Sequence, residues 1–379
     1  PQVIAEVGRE YGELSGRPYG ILDAYRMEDA EVAILAMGSI CGTTRTVVDL
    51  LRSQGVRAGL VKLRVFRPFP NEPLAAVLCS SSLKALCVID KAGELGSGGP
   101  LFAETEAAIA LHARKDGGRM PILTNAILGI GGRDVTLADI NGIFESLLNL
   151  AAVGRQPDGD FVRYVDVGDS GDSILDVSAS PLGREPMITN RNIVMLARGG
   201  QGAKTASYLL AELMIKIGKY AQGFPSYGPE RTGAPIRAFA KISDYPIHDR
   251  QQIYAADVVT VFDETLLDSF RAEFENSAEN GVILVNSQAS PGQIRQRIGL
   301  RGRRIYTVDA TGIAMQEFKA NRPNTSMMAA MIKLLKLCDV DAFKAAFGKK
   351  MKRLSEAVLQ GNLRAIDRGM NEIQSEPES

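Results

Sequence analysis

Three short stretches carry residue types that could hold an anionic ligand. Arg198-Gly199-Gly200-Gln201-Gly202 sits between an apolar run and a helical one. Glycines there let the backbone pass close to a ligand, and a helix start offers free N–H groups to a phosphate. Arg198 and Lys204 add positive charge. The spacing departs from the G-x-G-x-x-G dinucleotide fingerprint, because Ala197 stands where a first glycine would help. A tight structural turn accounts for the same residues. The second stretch, residues 223–235, is dense in Gly, Pro, Ser and Thr and places Glu230 and Arg231 in one loop. A guanidinium among small residues suits an anion, and an ordinary loop ion pair is the other reading. The third is Asn321-Arg322-Pro323-Asn324-Thr325 ahead of a Met-rich segment. Asn324 or Thr325 can cap a helix there, and Met327, Met328 and Met331 read as core packing.

Other chemistry has little to build on. The only histidines are His112 and His248, and Cys41, Cys79, Cys87 and Cys338 lie far apart with no CxxC spacing. That excludes a His-rich metal site and gives neither a disulfide framework nor an iron–sulfur ligand set.

The elements that must position these residues follow from periodicity. Residues 32–37 read as a buried strand, 43–54 as a helix, 56–65 as a strand, 72–79 as a helix and 86–90 as a strand. A glycine-rich loop at 93–100 leads into a helix to about residue 113, and Thr136 caps a later helix. Residues 151–190 are rich in Gly, Asp, Ser and Pro and read as a connector with one short strand at 161–167. Beyond it come strands at 193–196, 236–242, 258–262, 281–286 and 305–309, with a helix at 204–217. The C-terminal part from 325 to about 374 is helical, with breaks expected near Gly348 and Gly361. Strand–helix alternation with short loops predicts two parallel-sheet α/β domains.

Length and composition agree. At roughly 100–200 residues per domain, 379 residues make two or three domains, and 45% hydrophobic with 23% charged residues is ordinary for a globular chain. No apolar run approaches the ~20 residues of a membrane span. Residues 1–150 carry 15 basic and 17 acidic residues, 151–190 carry 3 and 7, and 191–379 carry 26 and 20. The mildly basic last half favours an anionic ligand, and no basic stripe with interleaved aromatics points to nucleic acid. The chain opens Pro1-Gln2-Val3, with no secretory signal, and is read as a full subunit, a fragment or a processed chain.

The motifs together resemble one family. RGGQG at 198–202, QGFPSYGPERTGAP at 222–235, ISDYPI at 242–247 and NTSMMAA at 324–330 resemble the gamma subunit of 2-oxoacid:ferredoxin oxidoreductases, the pyruvate synthase family. YRMEDAEVAILAMGS at 25–39, FRPFP at 66–70 and GIGGRDVT at 129–136 resemble the C-terminal, transketolase-like domain of the alpha subunit in the same family.

The resemblance implies a layout. Residues 1–20 would be the exit segment of a missing upstream domain, 21–150 the transketolase C-terminal-like domain, 151–190 a linker and 191–379 the gamma domain. It implies a cytoplasmic complex that oxidatively decarboxylates a 2-oxoacid, pyruvate being the family's commonest case, and hands the acyl group to coenzyme A. Thiamine diphosphate, Mg and the iron–sulfur clusters would sit in partner chains, with ferredoxin as a further partner. This chain lacks the GDG…NN diphosphate motif and clustered cysteines, so it is expected to be inactive alone. Its expected contribution is coenzyme A binding, at Gly199, Gly200, Gln201, Gly202, Tyr227, Arg231, Thr232, Gly233 and Asn324. No catalytic residue and no metal ligand is expected here, and neither nucleic acid nor a membrane as partner. A stand-alone coenzyme A or nucleotide-binding module is the alternative. An NAD(P)-dependent dehydrogenase is a third, for which no acidic residue is convincingly placed after the glycine loop.

Overall fold

A computed structural model of the chain describes residues 2–79, 82–93, 98–116, 120–155, 162–165, 174–175, 191–226, 233–351 and 355–376. The chain divides into two compact units, Pro1–Ile188 with His248–Gln251, and Thr189–Ile247 with Gln252–Ser379.

The first unit runs α1 (Gln2–Ser15), β1 (Leu22–Tyr25), β2 (Val32–Met37), α2 (Ile40–Ser53), β3 (Ala58–Leu63), α3 (Asn71–Leu78), β4 (Ala85–Asp90), α4 (Pro100–Asp116), β5 (Ile122–Ile127), α5 (Leu137–Val153), β6 (Val162–Val165) and β7 (Ile174–Leu175). Its sheet has the order β1-β3-β2-β4-β5-β6-β7. All neighbours are parallel except the edge strand β1, which pairs antiparallel to β3. Strands covered on both faces read as continuous apolar runs, and β2 and β4 do. Along β2 successive side chains enter different cores. Ile34 joins Val48, Leu51, Ile140 and Phe144 of α2 and α5, whereas Leu35 joins Leu74, Leu78, Leu101 and Ile109 of α3 and α4.

The second unit runs β8 (Arg191–Arg198), α6 (Ala203–Lys216), β9 (Tyr220–Pro225), β10 (Pro235–Ser243), β11 (Val258–Val261), α7 (Arg271–Glu275), β12 (Val282–Asn286), α8 (Pro291–Ile298), β13 (Arg304–Val308), α9 (Ala310–Phe318), α10 (Asn324–Leu335), α11 (Val340–Lys350), α12 (Glu356–Asn371) and β14 (Gln374–Ser375). Its order is β14-β13-β12-β11-β8-β10-β9. The strands β8, β11, β12 and β13 are parallel, and β9, β10 and β14 add antiparallel edges. One core lies between the sheet and α6, α10, α11 and α12 and contains Met327, Met328 and Met331. The other contains Phe239, Phe270, Phe274 and Ile294.

Both units are α/β, as the alternation predicts, with antiparallel strands only outside the parallel centre. Several boundaries differ from the periodicity. Helix α2 begins at Ile40 rather than residue 43, because Gly38 turns the chain at φ 72° and Ser39 is already the N-cap. Thr136 does cap α5, in a capping box with Asp139. The break expected near Gly348 falls close by, where α11 ends at Lys350, whereas the one expected near Gly361 is corrected, and a further interruption falls at residues 336–339. Gly361 lies inside α12, where an added Cβ would stand 3.3 Å from the Phe318 ring, so this glycine serves close helix packing. Most of the connector 151–190 lies outside the described residues.

Candidate functional site

The strongest cluster forms at the carboxyl end of β8, where the parallel half of the second sheet meets its antiparallel half. Strand β8 ends at Arg198, and α6 starts after Gly202. Between them Gly200 and Gly202 take φ of 102° and 89°, which side-chain-bearing residues rarely adopt. Ala197 is fully buried inside β8, so the loop proper starts at Gly199.

The turn is braced from three sides. Gly199 N–H donates to Ala234 O at 2.9 Å, and Gly233 N–H donates to Gly199 O at 3.2 Å. Gln201 accepts from Arg198 N–H at 2.8 Å through Oε1 and donates to Asp263 Oδ2 at 2.6 Å through Nε2. Arg198 donates to Thr265 Oγ1 at 2.8 Å through Nη2 and to Gly233 O at 3.3 Å through Nη1. Its Nε lies 3.5 Å from Asp263 Oδ2. Asp263 also accepts from Thr265 N–H at 3.0 Å. Burial works to raise the Asp263 pKa, but hydrogen bonds from Thr265 and Gln201 and the Arg198 charge outweigh it and hold the carboxyl below its ordinary value.

What the bracing leaves is backbone. The N–H groups of Gly200 and Gly202 have no hydrogen-bond partner among the described residues. They stand at the start of a 14-residue helix, whose dipole favours negative charge. Asn324, the first residue of α10, lies beside them: a Cβ on Gly202 would be 3.5 Å from Asn324 Cβ and Nδ2. Asn324 does not cap α10. Its N-cap is Pro323, and Thr325 donates to Asn362 Oδ1 instead. The Asn324 carboxamide is half-buried and has no hydrogen-bond partner among the described residues.

Of the residues expected from sequence, the structure brings together Gly199, Gly200, Gln201, Gly202, Gly233 and Asn324. Gln201 and Gly233 hold the turn. Tyr227, Arg231 and Thr232 lie outside the described residues. Sequence reasoning missed Asp263 and Thr265. The local signal was present, since an Asp at a strand end followed two residues later by Thr can cap a turn, but nothing local pointed to Gln201, 62 residues away.

In the first unit, the visible end of the 93–100 loop is structural. Asp90 accepts from Leu101 N–H at 2.9 Å, Phe102 N–H at 3.1 Å and Asn125 Nδ2 at 3.0 Å, so it holds the first turn of α4. Burial pushes its carboxyl up against those bonds. Burial likewise pushes the Cys41 thiol to about 11 and the Cys87 thiol to about 12. Among the described residues no group of three His, Cys, Asp or Glu is placed to hold a metal ion, and no helix is long and apolar enough to cross a membrane.

Comparison with known proteins gives two matches along the chain. Residues 192–372 match the pyruvate ferredoxin/flavodoxin oxidoreductase family, and residues 30–140 match pyruvate:ferredoxin oxidoreductase core domain II. The chain is 43% identical over 177 residues to pyruvate synthase subunit PorC of Thermotoga maritima, covering 46% of this chain and 91% of that protein. It is 38% identical over 155 residues to ketoisovalerate oxidoreductase subunit VorA of Pyrococcus abyssi, covering 41% of this chain and 38% of that one. It is 26% identical over 395 residues to the pyruvate:ferredoxin oxidoreductase of Moorella thermoacetica, covering 99% of this chain and 32% of that enzyme. The chain thus spans about a third of the length of the latter two relatives.

Proposed function

The chain belongs to the pyruvate ferredoxin/flavodoxin oxidoreductase family, and we propose that within such an enzyme its second unit binds coenzyme A. The reaction converts a 2-oxoacid, coenzyme A and two oxidised ferredoxins to acyl-coenzyme A, carbon dioxide, a proton and two reduced ferredoxins. Thiamine diphosphate, held with Mg by a partner chain, supplies the carbanion chemistry, and partner iron–sulfur clusters carry the electrons. Pyruvate is the proposed substrate, after the names of PorC and the Moorella enzyme. In the proposed layout residues 1–20 lead out of an upstream domain. Helix α1 supports a partner surface there: it has no buried residue and exposes Val3, Val7 and Leu14.

The observation that carries the coenzyme A reading is the pair of N–H groups on Gly200 and Gly202 beside the Asn324 carboxamide, all without a hydrogen-bond partner among the described residues. Backbone donors at a helix start suit a phosphate, and the carboxamide can both donate and accept. Arg231, Thr232 and Tyr227 join them by family resemblance. Arg231 would supply a fixed fork of donors to a second phosphate oxygen pair.

Losing one charge-assisted contact costs about 1.5–3 kcal/mol, or roughly ten- to a hundred-fold in affinity. In the purified complex, Arg231→Ala is expected to raise the coenzyme A KM by that factor. Asn324→Ala is expected to raise it less. Both should leave intact the coenzyme-independent transfer of an electron from the oxoacid to the partner iron–sulfur clusters. An unchanged coenzyme A KM in both folded variants would remove the reading.

A further inference from the structure

We infer that the first unit holds a second anion site, for a small phosphate-bearing ligand, in a cavity at the carboxyl end of β2. The cavity has a volume of about 400 Å³ and is lined by Ser39, Arg45, Lys62, His248 and Arg250 among others. That is within the range of small-molecule sites.

Its charges are the reason. Lys62 projects from β3 and Arg45 from the second turn of α2, both half-buried, and Arg250 comes from the 248–251 segment of the same unit. None of the three has a carboxylate within salt-bridge distance among the described residues, whereas many other basic residues of this chain do. The one carboxylate lining the cavity, Asp23, is already paired with Arg64 at 2.9 Å. Arg45 lies over the Tyr25 ring, 4.2 Å from its centroid, and its buried Nε has no hydrogen-bond partner among the described residues. Tyr25 in turn donates to Asp49, so that carboxylate is engaged as well. Ser39 is the N-cap residue of α2 yet makes no side-chain cap bond, which leaves its hydroxyl to the cavity.

The wall is built for close approach. An added Cβ on Gly42 would stand 2.1 Å from His248 O, so glycine is what admits the 248–251 segment against α2. Gln251 fixes the far end of the segment by accepting from Leu137 N–H at 2.7 Å. Burial, then Arg45, lowers the His248 pKa, so His248 is a neutral hydrogen-bonding group near pH 7. Cys41, with its raised pKa, is a thiol and not a nucleophile. The donors that remain, two guanidinium groups, an ammonium, a hydroxyl and a helix start, match the oxygens of a phosphate or diphosphate.

The test is isothermal titration of the purified native assembly with inorganic pyrophosphate, against citrate and chloride at equal ionic strength. The expected result is saturable pyrophosphate binding that Lys62→Met and Arg250→Met each weaken ten- to a hundred-fold and Asn324→Ala leaves in place. Equal affinity for citrate would overturn the phosphate assignment. Absent binding, or binding untouched by both cavity substitutions, would overturn the site. A second reading guards against misfolding. Without pyrophosphate the cavity variants should keep the wild-type melting temperature, and a fall there would make these cations structural and overturn the proposal.

Discussion

At the carboxyl end of β8, Arg198 lies against Asp263 and Thr265 and Gln201 is tied to the same carboxylate, so the charge of Arg198 is satisfied within the unit and the turn's own remaining donors are the backbone N–H groups of Gly200 and Gly202. At the carboxyl end of β2, a glycine with positive φ likewise leads into a helix, but Arg45 and Lys62 meet no carboxylate within salt-bridge distance among the described residues. The first turn is rigidified before any ligand arrives. The second gathers three like charges around one cavity, where solvent or a counter-anion can offset them. The difference teaches where to look for an effect. Removing a charge should damage folding in the second unit and binding in the first.

The largest expected effect is on Asp263. Asp263→Ala removes the acceptor of Gln201, Thr265 and Arg198 together, two of which can turn to water. We expect a loss of about 2–3 kcal/mol, read by chemical denaturation. The sign with pH follows from the lowered pKa. The stabilisation is complete above the ordinary aspartate value of 3.8 and disappears as pH falls through the lower folded value. The gap between wild type and variant should therefore persist at neutral pH and close only in acid below that value. A gap that closes at pH 6 would show that Asp263 is not the group responsible.

Next in size is Gly42→Ala. Alanine favours a helix by up to about 1 kcal/mol, but the obstructing atom is a backbone oxygen, which cannot rotate away. Overpacking of this kind costs about 1–3 kcal/mol, so we expect a net loss near 1 kcal/mol. Displacing residues 248–251 should also release Leu137 N–H from Gln251. Hydrogen exchange would then show Leu137 losing protection while β2 keeps its own. Unchanged exchange at Leu137 would mean that the segment tolerates the methyl.

These two positions also mark what was legible in the sequence. The glycine turn at 198–202 was legible because it lies between a five-residue apolar run and a helical period, both local signals. So were β2, β4 and the capped start of α5. Strands β1, β5 and β9 were not. β1 has only four residues at an edge. β5 carries Thr124 and Asn125 in its centre, where Asn125 is buried because it bonds Gly99 N–H, Val88 O and Asp90. β9 contains Gln222, Gly223 and Pro225, and its glycine admits Ser207 O, 2.4 Å from where a Cβ would be. In each case a distant partner overrides local propensity. The Asp263–Gln201 bond and the Gly42–His248 contact were invisible for the same reason, since in each the two partners lie far apart in the sequence.

The smallest expected effect is the most diagnostic. Lys62→Met keeps the apolar stem of the side chain and removes a charge that has no salt-bridge partner among the described residues. Surface changes without such partners stay within about 0.5 kcal/mol, and relief of repulsion from Arg45 and Arg250 should bring this one to zero or slightly stabilising. Salt separates the two contributions. Wild-type protein in dilute buffer should gain stability as sodium chloride screens the three cations, over a Debye length of about 10 Å at 0.1 M. Lys62→Met should gain less, because one cation is already gone. A variant that is clearly less stable than wild type at every salt concentration would mean that Lys62 is held by a contact of its own. The contrast between the two turns would then collapse.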